Sequence, residues 1–275
     1  QGIMGGNLAG YFVVHDDNNA VSGNNEWYTI GARQAGKLAG LDYRVEYYHQ
    51  FGDGAVPATS SDQSTAYATT AVNTADIDRD AYLFGIRVGK TFKNARFSPT
   101  ITLWYDNKSG QDDDDVNGND YGAFHTVLDT GHKFYGLIDN FISDIGDDTQ
   151  RYGLEDIAIK AKFNVSDKNV FKVDWHQFLT QTDLEGSDSD TIRAAGGGAF
   201  AAARQGTGVL GNDLGQEIDL TLVHKYDANT KIVTGYSHYF TTLTHSLLNG
   251  SGAGDNTVDQ NDDQSWFYMM IDTTF

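Results

Sequence analysis

The sequence predicts an all-β protein, and specifically a transmembrane antiparallel up-and-down β-barrel with at least ten strands. Two observations support this fold class. Segments that alternate apolar and polar residues recur along the 275-residue chain, which is the pattern of strands with one apolar face. The connections between these segments alternate regularly between long and short, which is typical of a barrel with long extracellular loops and short periplasmic turns.

Ten segments carry the alternation, and each is predicted to be a strand. In the third, Leu41, Tyr43 and Val45 alternate with Asp42 and Arg44. The fifth is predicted to begin at residue 96, with Phe97 and Pro99 on its apolar face. In chain order the segments are residues 8–15, 25–34, 41–51, 79–91, 96–106, 152–164, 169–181, 215–226, 231–243 and 264–275.

The connections discriminate between a barrel and the alternative all-β fold, a Greek-key sandwich. The short ones are residues 35–40, 92–94, 164–168 and 226–230, and the long ones are 16–24, 52–78, 107–151, 182–214 and 244–263. Sandwiches place long connections at both ends, whereas this layout puts them on one rim. It therefore favours an even-stranded barrel whose first strand starts, and last strand ends, at the periplasmic rim.

Composition narrows the function classes. The net charge of −19 argues against nucleic-acid binding, which needs a basic face. The absence of cysteine excludes disulfides and zinc–thiolate sites. The mean hydropathy of −0.45 is compatible with a barrel, because only alternate strand residues face lipid. The acidic runs 112–115, 139–148, 183–190 and 255–263 lie in long connections, and we predict solvated loops there.

Several segments resemble the alginate-export family of bacterial outer-membrane channels. They are residues 130–141, 152–156, 173–178 and 214–221, within a similarity that covers roughly residues 80–275 and the strand around Tyr43–Tyr47. The last strand, ending on Phe275, also resembles the closing strand of outer-membrane barrels. The resemblance implies one barrel domain over residues 1–275 in the outer membrane of a Gram-negative bacterium. Family members are usually longer, so it also implies the C-terminal portion of a larger barrel, without its N-terminal strands.

Charged residues within strands are predicted to line the lumen, because an Arg or Lys facing mid-bilayer lipid costs about 2–4 kcal/mol. Two interpretations remain open: the cations attract anionic solutes, or they pair with inward carboxylates and rigidify the wall. The mixture of signs argues against a strongly anion-selective pore. The predicted solute pathway comprises Arg33, Arg44, Arg87, Lys160, Lys162, Lys172, Lys225, Asp42, Glu46, Asp174, Glu217 and Asp219, with Asp106, Asp156 and Asp272 on the same face.

Two sites are predicted in the 107–151 connection. His132, Lys133 and Tyr135 lie in its family-like part and are expected to fold inward as a constriction. Asp113, Asp115 and Asn117, followed by Gly118, match the opening of a calcium loop. The twelfth position is Phe124 rather than the usual bidentate Glu. A bound Ca²⁺, the one cofactor suggested, and a plain acidic loop therefore remain as alternatives.

The sequence predicts a protein that is not an enzyme. It contains neither G-x-S-x-G nor H-E-x-x-H, and the neighbours His245 and Ser246 are poorly placed as base and nucleophile.

We predict an outer-membrane channel, or porin, for passive passage of hydrophilic, anionic or saccharide solutes, gated by the 107–151 loop. The alternative is a narrow structural or interaction barrel whose acidic extracellular loops bind a partner or cations. Expected partners are outer-membrane lipid, lipopolysaccharide and hydrophilic solutes, without nucleic acid. The sequence leaves the oligomeric state open.

Overall fold

A computed structural model describes residues 3–17, 25–53, 78–112, 115, 120–126, 131–132, 134–142, 149, 151–182, 211–248 and 263–274. Within these ranges eleven strands form one sheet. They are β1 (Gly6–Asp17), β2 (Asn25–Leu38), β3 (Leu41–Asp53), β4 (Asp78–Thr91), β5 (Thr100–Lys108), β6 (Asp120–Tyr121), β7 (Leu154–Asn164), β8 (Asn169–Leu179), β9 (Asp213–Lys225), β10 (Thr230–Thr241) and β11 (Gln264–Thr273).

Ten of these strands follow one another in the sheet, in the order β1-β2-β3-β4-β5-β7-β8-β9-β10-β11. All their pairings are antiparallel, and the two-residue β6 adds a parallel contact to the start of β4. In the part of the chain that the structure describes, β1 and β11 do not pair with each other, so the sheet is open. The all-β, up-and-down prediction and the ten predicted strands are confirmed.

Helical structure is sparse. A 3₁₀ turn covers Ile3–Gly5, and a short helix, α1, covers Leu243–Leu248. No helix among the described residues has the length and apolar character to cross a membrane.

The sheet buries its polar side and exposes its apolar side. Phe12 and Met269 are 64% and 67% exposed, whereas Glu46 and Asp156 on the opposite side are 4% and 0% exposed. A water-soluble sheet has the reverse arrangement, with its apolar face on the core. The inversion is the one expected of strands whose alternate residues face lipid. We call the buried side, which carries Glu46, Asp106, Asp156, His176 and Asp219, the polar face.

Two mid-strand glycines make room for tyrosine rings on this face. A Cβ added to Gly31 would lie 2.1 Å from the ring of Tyr48, and one added to Gly235 would lie 2.0 Å from the ring of Tyr268. Each glycine faces its tyrosine across one strand pairing, between β2 and β3 or between β10 and β11. Glycine in the middle of a strand weakens the strand and often marks a place where another group approaches the backbone closely. Here the tyrosine ring makes that approach.

The predicted start of the fifth strand is wrong. β5 begins at Thr100 rather than at residue 96, because Phe97 and Ser98 adopt left-handed φ values of 66° and 41°. The Phe92 amide donates to the Pro99 carbonyl (2.8 Å) and the Ser98 amide to the Ala95 carbonyl (2.9 Å). The turn thus spans residues 92–99, and the spacing of Phe97 and Pro99 mimicked a strand within it. By contrast, β2 extends to Leu38, which shortens the next turn to Ala39 and Gly40.

Candidate functional site

The strand register places every residue of the predicted solute pathway on the polar face. Arg33 lies opposite Glu46, Arg44 opposite Arg87, and Lys160 opposite Asp174. The others occupy equivalent alternate positions: Asp42, Lys162, Lys172, Glu217, Asp219 and Lys225. The sequence therefore assigned these side chains to one side correctly, and their role in conducting a solute stays a prediction.

On β3–β5 the charges of the polar face pair with one another. The Arg87 guanidinium lies 3.1 Å from Asp106 Oδ2 and 3.3 Å from Glu46 Oε1, and it stacks 3.4 Å over the Trp104 ring. Arg44 reaches the other oxygen of Glu46 at 2.5 Å. Because Arg87 is only 8% exposed, this group is a buried ion cluster.

Gly85 allows this cluster to form. It lies between Glu46 and Asp106 in the register, and a Cβ there would be 2.7 Å from Asp106 Oδ1 and 3.1 Å from Glu46 Cγ. The two carboxylates lean over the bare glycine backbone to reach Arg87. A side chain at this position would push at least one of them away.

On β7–β10 the polar face carries several acids around one histidine. His176 Nδ1 lies 2.8 Å from Asp156 Oδ1, and Nε2 lies 3.9 Å from Asp219 Oδ2. The Ser237 hydroxyl donates to Asp219 Oδ1 at 2.5 Å. Within the described residues, no three His, Asp or Glu side chains are grouped so as to hold a metal ion.

The short-turn end of this face is positively charged. Lys162 lies directly opposite Lys172, and Lys225 directly opposite Lys231. Like charges that face each other across a strand pair destabilise the sheet. Asp272 compensates one of the four cations, at 2.8 Å from Lys231 Nζ.

A segment of the 107–151 connection crosses the polar face. We define this crossing segment by its described residues, 120–126, 131–132 and 134–142. At one end the His125 amide donates to Gln50 Oε1 (2.9 Å), and Gln50 Nε2 donates to the His125 carbonyl (2.6 Å). The His125 ring packs against Trp27, at a ring-centroid distance of 5.3 Å. Burial, aided by the charge of nearby Arg79, lowers the pKa of His125 to about 4.

The other end of the crossing segment is held by β8–β11. The amides of Leu137 and Ile138 donate to Glu217 Oε1 at 2.6 and 2.9 Å. The Phe141 ring lies 4.6 Å from the Phe178 ring. The His132 ring stacks on Trp266 at 4.6 Å. The segment thus contacts strands near both edges of the open sheet.

The predicted constriction residues lie on this segment. His132 is on the polar side through its stacking on Trp266, and its Nδ1 lies 2.8 Å from Asp139 Oδ2. Tyr135 is 9% exposed, its ring is 4.9 Å from Lys108 Nζ, and burial raises its pKa well above the usual value. Lys133 lies outside the described residues. The expected inward fold is therefore observed for His132 and Tyr135, while constriction of a solute path stays a prediction.

The crossing segment separates two clefts. Phe134 and Tyr135 line the first, and Gly136 and Leu137 line the second. The first encloses about 680 Å³, partly open to solvent, and includes Arg44, Glu46, Tyr48, Arg87, Asp106 and Lys108. The second encloses about 1220 Å³, also partly open, and includes His132, Lys160, Lys162, Lys172, Asp174, Asp219, Lys231 and Tyr268.

The structure describes only part of the predicted calcium loop. Asp112 and Asp115 exchange hydrogen bonds, each carboxylate accepting from the other's amide at 2.8 and 3.1 Å. Burial raises the pKa of Asp115 to about 6. Asp113 and Asn117 lie outside the described residues, so calcium binding stays a prediction.

Sequence reasoning did not foresee the contacts that four side chains of this site make. Trp104 supports Arg87, Gln50 holds His125, Trp266 stacks on His132, and His176 bridges the acids of β7 and β9. Their period-two positions do place them on the polar side. Nothing in the local sequence indicates which distant group each of them contacts.

A sequence model of the family described as alginate export matches residues 1–242. No curated protein matches the chain. Among solved structures, the chain is similar to Salmonella typhi OmpF in complex with daunomycin, with a TM-score of 0.48, 11% identity, and coverage of 98% of this chain and 57% of that one. The P. putida toluene transporter TodX gives a TM-score of 0.32, 11% identity, and coverage of 98% and 65%. The chain thus spans less than two thirds of either structure.

Proposed function

The chain belongs to the alginate export family and is a bacterial outer-membrane β-barrel protein, and from this premise we propose that it is a channel for passive passage of hydrophilic solutes, in particular anions or saccharides. Its family is one of export proteins rather than enzymes, so we propose no catalytic activity. The solutes would pass along the polar face, while the outward apolar side chains contact lipid and lipopolysaccharide.

The observation that carries this proposal is the presence of two opposed lysine pairs at the short-turn end. Lys162 and Lys172 face each other, as do Lys225 and Lys231, and such pairs cost stability unless an anion lies between them. Lys162, Lys172 and Lys231 line the larger cleft. Charged rings at a pore mouth select ions of the opposite sign, so this rim favours anions.

The crossing segment supplies the proposed constriction. His132, Lys133 and Tyr135 would narrow the path between the two clefts. Tyr268 lines the larger cleft, and its ring stacks on Trp266 at 4.6 Å. Aromatic faces next to cations and carboxylates offer both stacking and hydrogen bonding to a sugar ring, which supports saccharides as solutes.

A planar-bilayer recording in a salt gradient tests the proposal. We expect discrete conductance steps and a reversal potential that indicates a preference for anions. The double variant Lys162→Gln/Lys172→Gln should reduce that preference. The matched control is Lys90→Gln, because Lys90 lies at the same end but opposite Ile101 on the outward side.

Two outcomes would contradict the proposed channel function. A folded but electrically silent protein would favour the alternative, a structural or interaction barrel. Steps without anion preference, unchanged by the lysine variants, would mean that these cations do not select the solute.

A further inference from the structure

The Leu137–Ile138 amide pair holds a buried carboxylate. Both amides point at Glu217 Oε1, at 2.6 and 2.9 Å. Glu217 is 0% exposed, so the oxygen that accepts from these amides is shielded from water. Two backbone amides that converge on one buried oxygen attach the crossing segment to β9, because a buried donor or acceptor that loses its partner is costly.

Gly136 shapes the site for a carboxylate. Its φ is +85°, in the region that favours glycine. A Cβ there would lie 2.4 to 2.6 Å from the carboxylate atoms of Glu217, so no other residue permits this approach. Successive backbone amides beside a left-handed residue form a concave anion site. The site is thus made by the crossing segment, and Glu217 is its occupant.

We propose that the Leu137–Ile138 amide pair is a carboxylate-binding site in its own right, which Glu217 occupies while the segment is docked. The inference rests on the proposed channel function for its role there. A solute carboxylate that reaches the pair replaces Glu217 and frees the segment that separates the two clefts. Replacement is required rather than addition, because Asp219, two residues along the same face, and Asp156 beyond His176 repel a further anion.

Chemical modification of one introduced cysteine tests this inference. The chain has no cysteine, so Asn140→Cys carries a unique thiol. The side-chain nitrogen Nδ2 of Asn140 is buried. In lipid vesicles the docked segment should protect the thiol from a maleimide. Adding Glu217→Ala should accelerate labelling about tenfold, since the two lost hydrogen bonds together are worth about the free energy of a tenfold change. Acetate, which fills the space left by the side chain, should slow labelling again, and chloride at equal ionic strength should not.

Matched variants separate the site from general loosening. Glu155→Gln changes a carboxyl group that bonds Tyr105 and Asn107 instead of the segment, and should leave the labelling rate unchanged. Gly136→Ala should accelerate labelling without rescue by acetate, because its Cβ takes the carboxylate's place. Gly40→Ala is its control, since Gly40 has a φ of +79° but nothing within 4 Å.

The inference is overturned if Glu217→Ala labels like the parent, or if acetate acts no differently from chloride. Should the Glu217→Ala variant fail to fold, Glu217→Gln is used in its place, because glutamine retains one acceptor oxygen. Acetate should then displace the weaker amide and accelerate labelling, and no response to acetate would overturn the inference. Labelling needs no ionic current, so a silent bilayer would refute the channel and leave this result standing.

Discussion

Replacing Arg87 should expose how much the ion cluster of β3–β5 stabilises the barrel. Arg87→Met removes the cation that lies 3.1 Å from Asp106 and 3.3 Å from Glu46. Removing one partner of a buried ion pair costs about 3–5 kcal/mol. Glu46 keeps Arg44 at 2.5 Å, so Asp106 is the carboxylate left uncompensated. We therefore expect the lower end of that range, about 3 kcal/mol.

The double variant Arg87→Met/Asp106→Asn distinguishes charge from packing. Without the buried anion, the double variant should recover to within about 1 kcal/mol of the parent, because neutral replacements of a whole buried pair are often tolerated. Urea unfolding in lipid vesicles, followed by tryptophan fluorescence, measures both values. The reasoning is refuted if the double variant is no more stable than Arg87→Met, which would assign the loss to packing on Trp104.

Three further predictions concern glycine, protons and calcium. Gly85→Ala should destabilise the barrel by about 1–3 kcal/mol through overpacking, whereas Gly10→Ala, with its nearest neighbour atom at 4.0 Å, should be nearly neutral in the same urea assay. Burial lowers the pKa of His125 from its ordinary value of about 6.5 to about 4. The neutral ring therefore favours docking of the crossing segment above about pH 6.5, and this contribution is lost as the pH falls through about 4. Labelling of Asn140→Cys should rise in that window, and less so after His125→Gln; a residual rise is expected because burial also lowers the pKa of His245 to about 4. Calorimetric titration should detect Ca²⁺ at about 0.1–1 mM, lost in Asp115→Asn, and no heat at these concentrations would contradict a site in the 113–118 loop.

The strand pattern could be predicted because it follows from short-range physics. Residues such as Leu103 and Asp106 must lie on opposite sides of a strand, and a lipid-facing side cannot carry charge at low cost. The same reasoning failed at residues 96–99, where positive φ at Phe97 and Ser98 closes a turn. Alternation of residue types contains no information on backbone handedness, so it could not place the start of β5.

The contacts of the site could be predicted only in part, because they join distant segments. Glu217 was assigned to the correct face, yet its contact with Leu137 spans 80 residues. It depends on the register of β9 and on how a long connection folds back. Gly136 was a usable signal, since a glycine beside an apolar pair in a family-like segment indicates close backbone approach. The sequence does not show which carboxyl group approaches Gly136, because that group lies on a distant strand.

We expect the two interpretations of the inward charges to apply to different strands. On β3 and β4, Arg44 and Arg87 each meet a carboxylate at 2.5 to 3.3 Å, which satisfies their charge and rigidifies the wall. At the short-turn end of β7–β10, Lys162 faces Lys172 and Lys225 faces Lys231, of which Lys231 already pairs with Asp272. Under the proposed function, a passing anion would relieve the remaining repulsion. Removing one cation of the first group should therefore reduce the free energy of unfolding, and neutralising the second group should alter ion preference with little loss of stability. We expect the same type of charge to be structural where it is paired with a carboxylate and selective where it is opposed by its like.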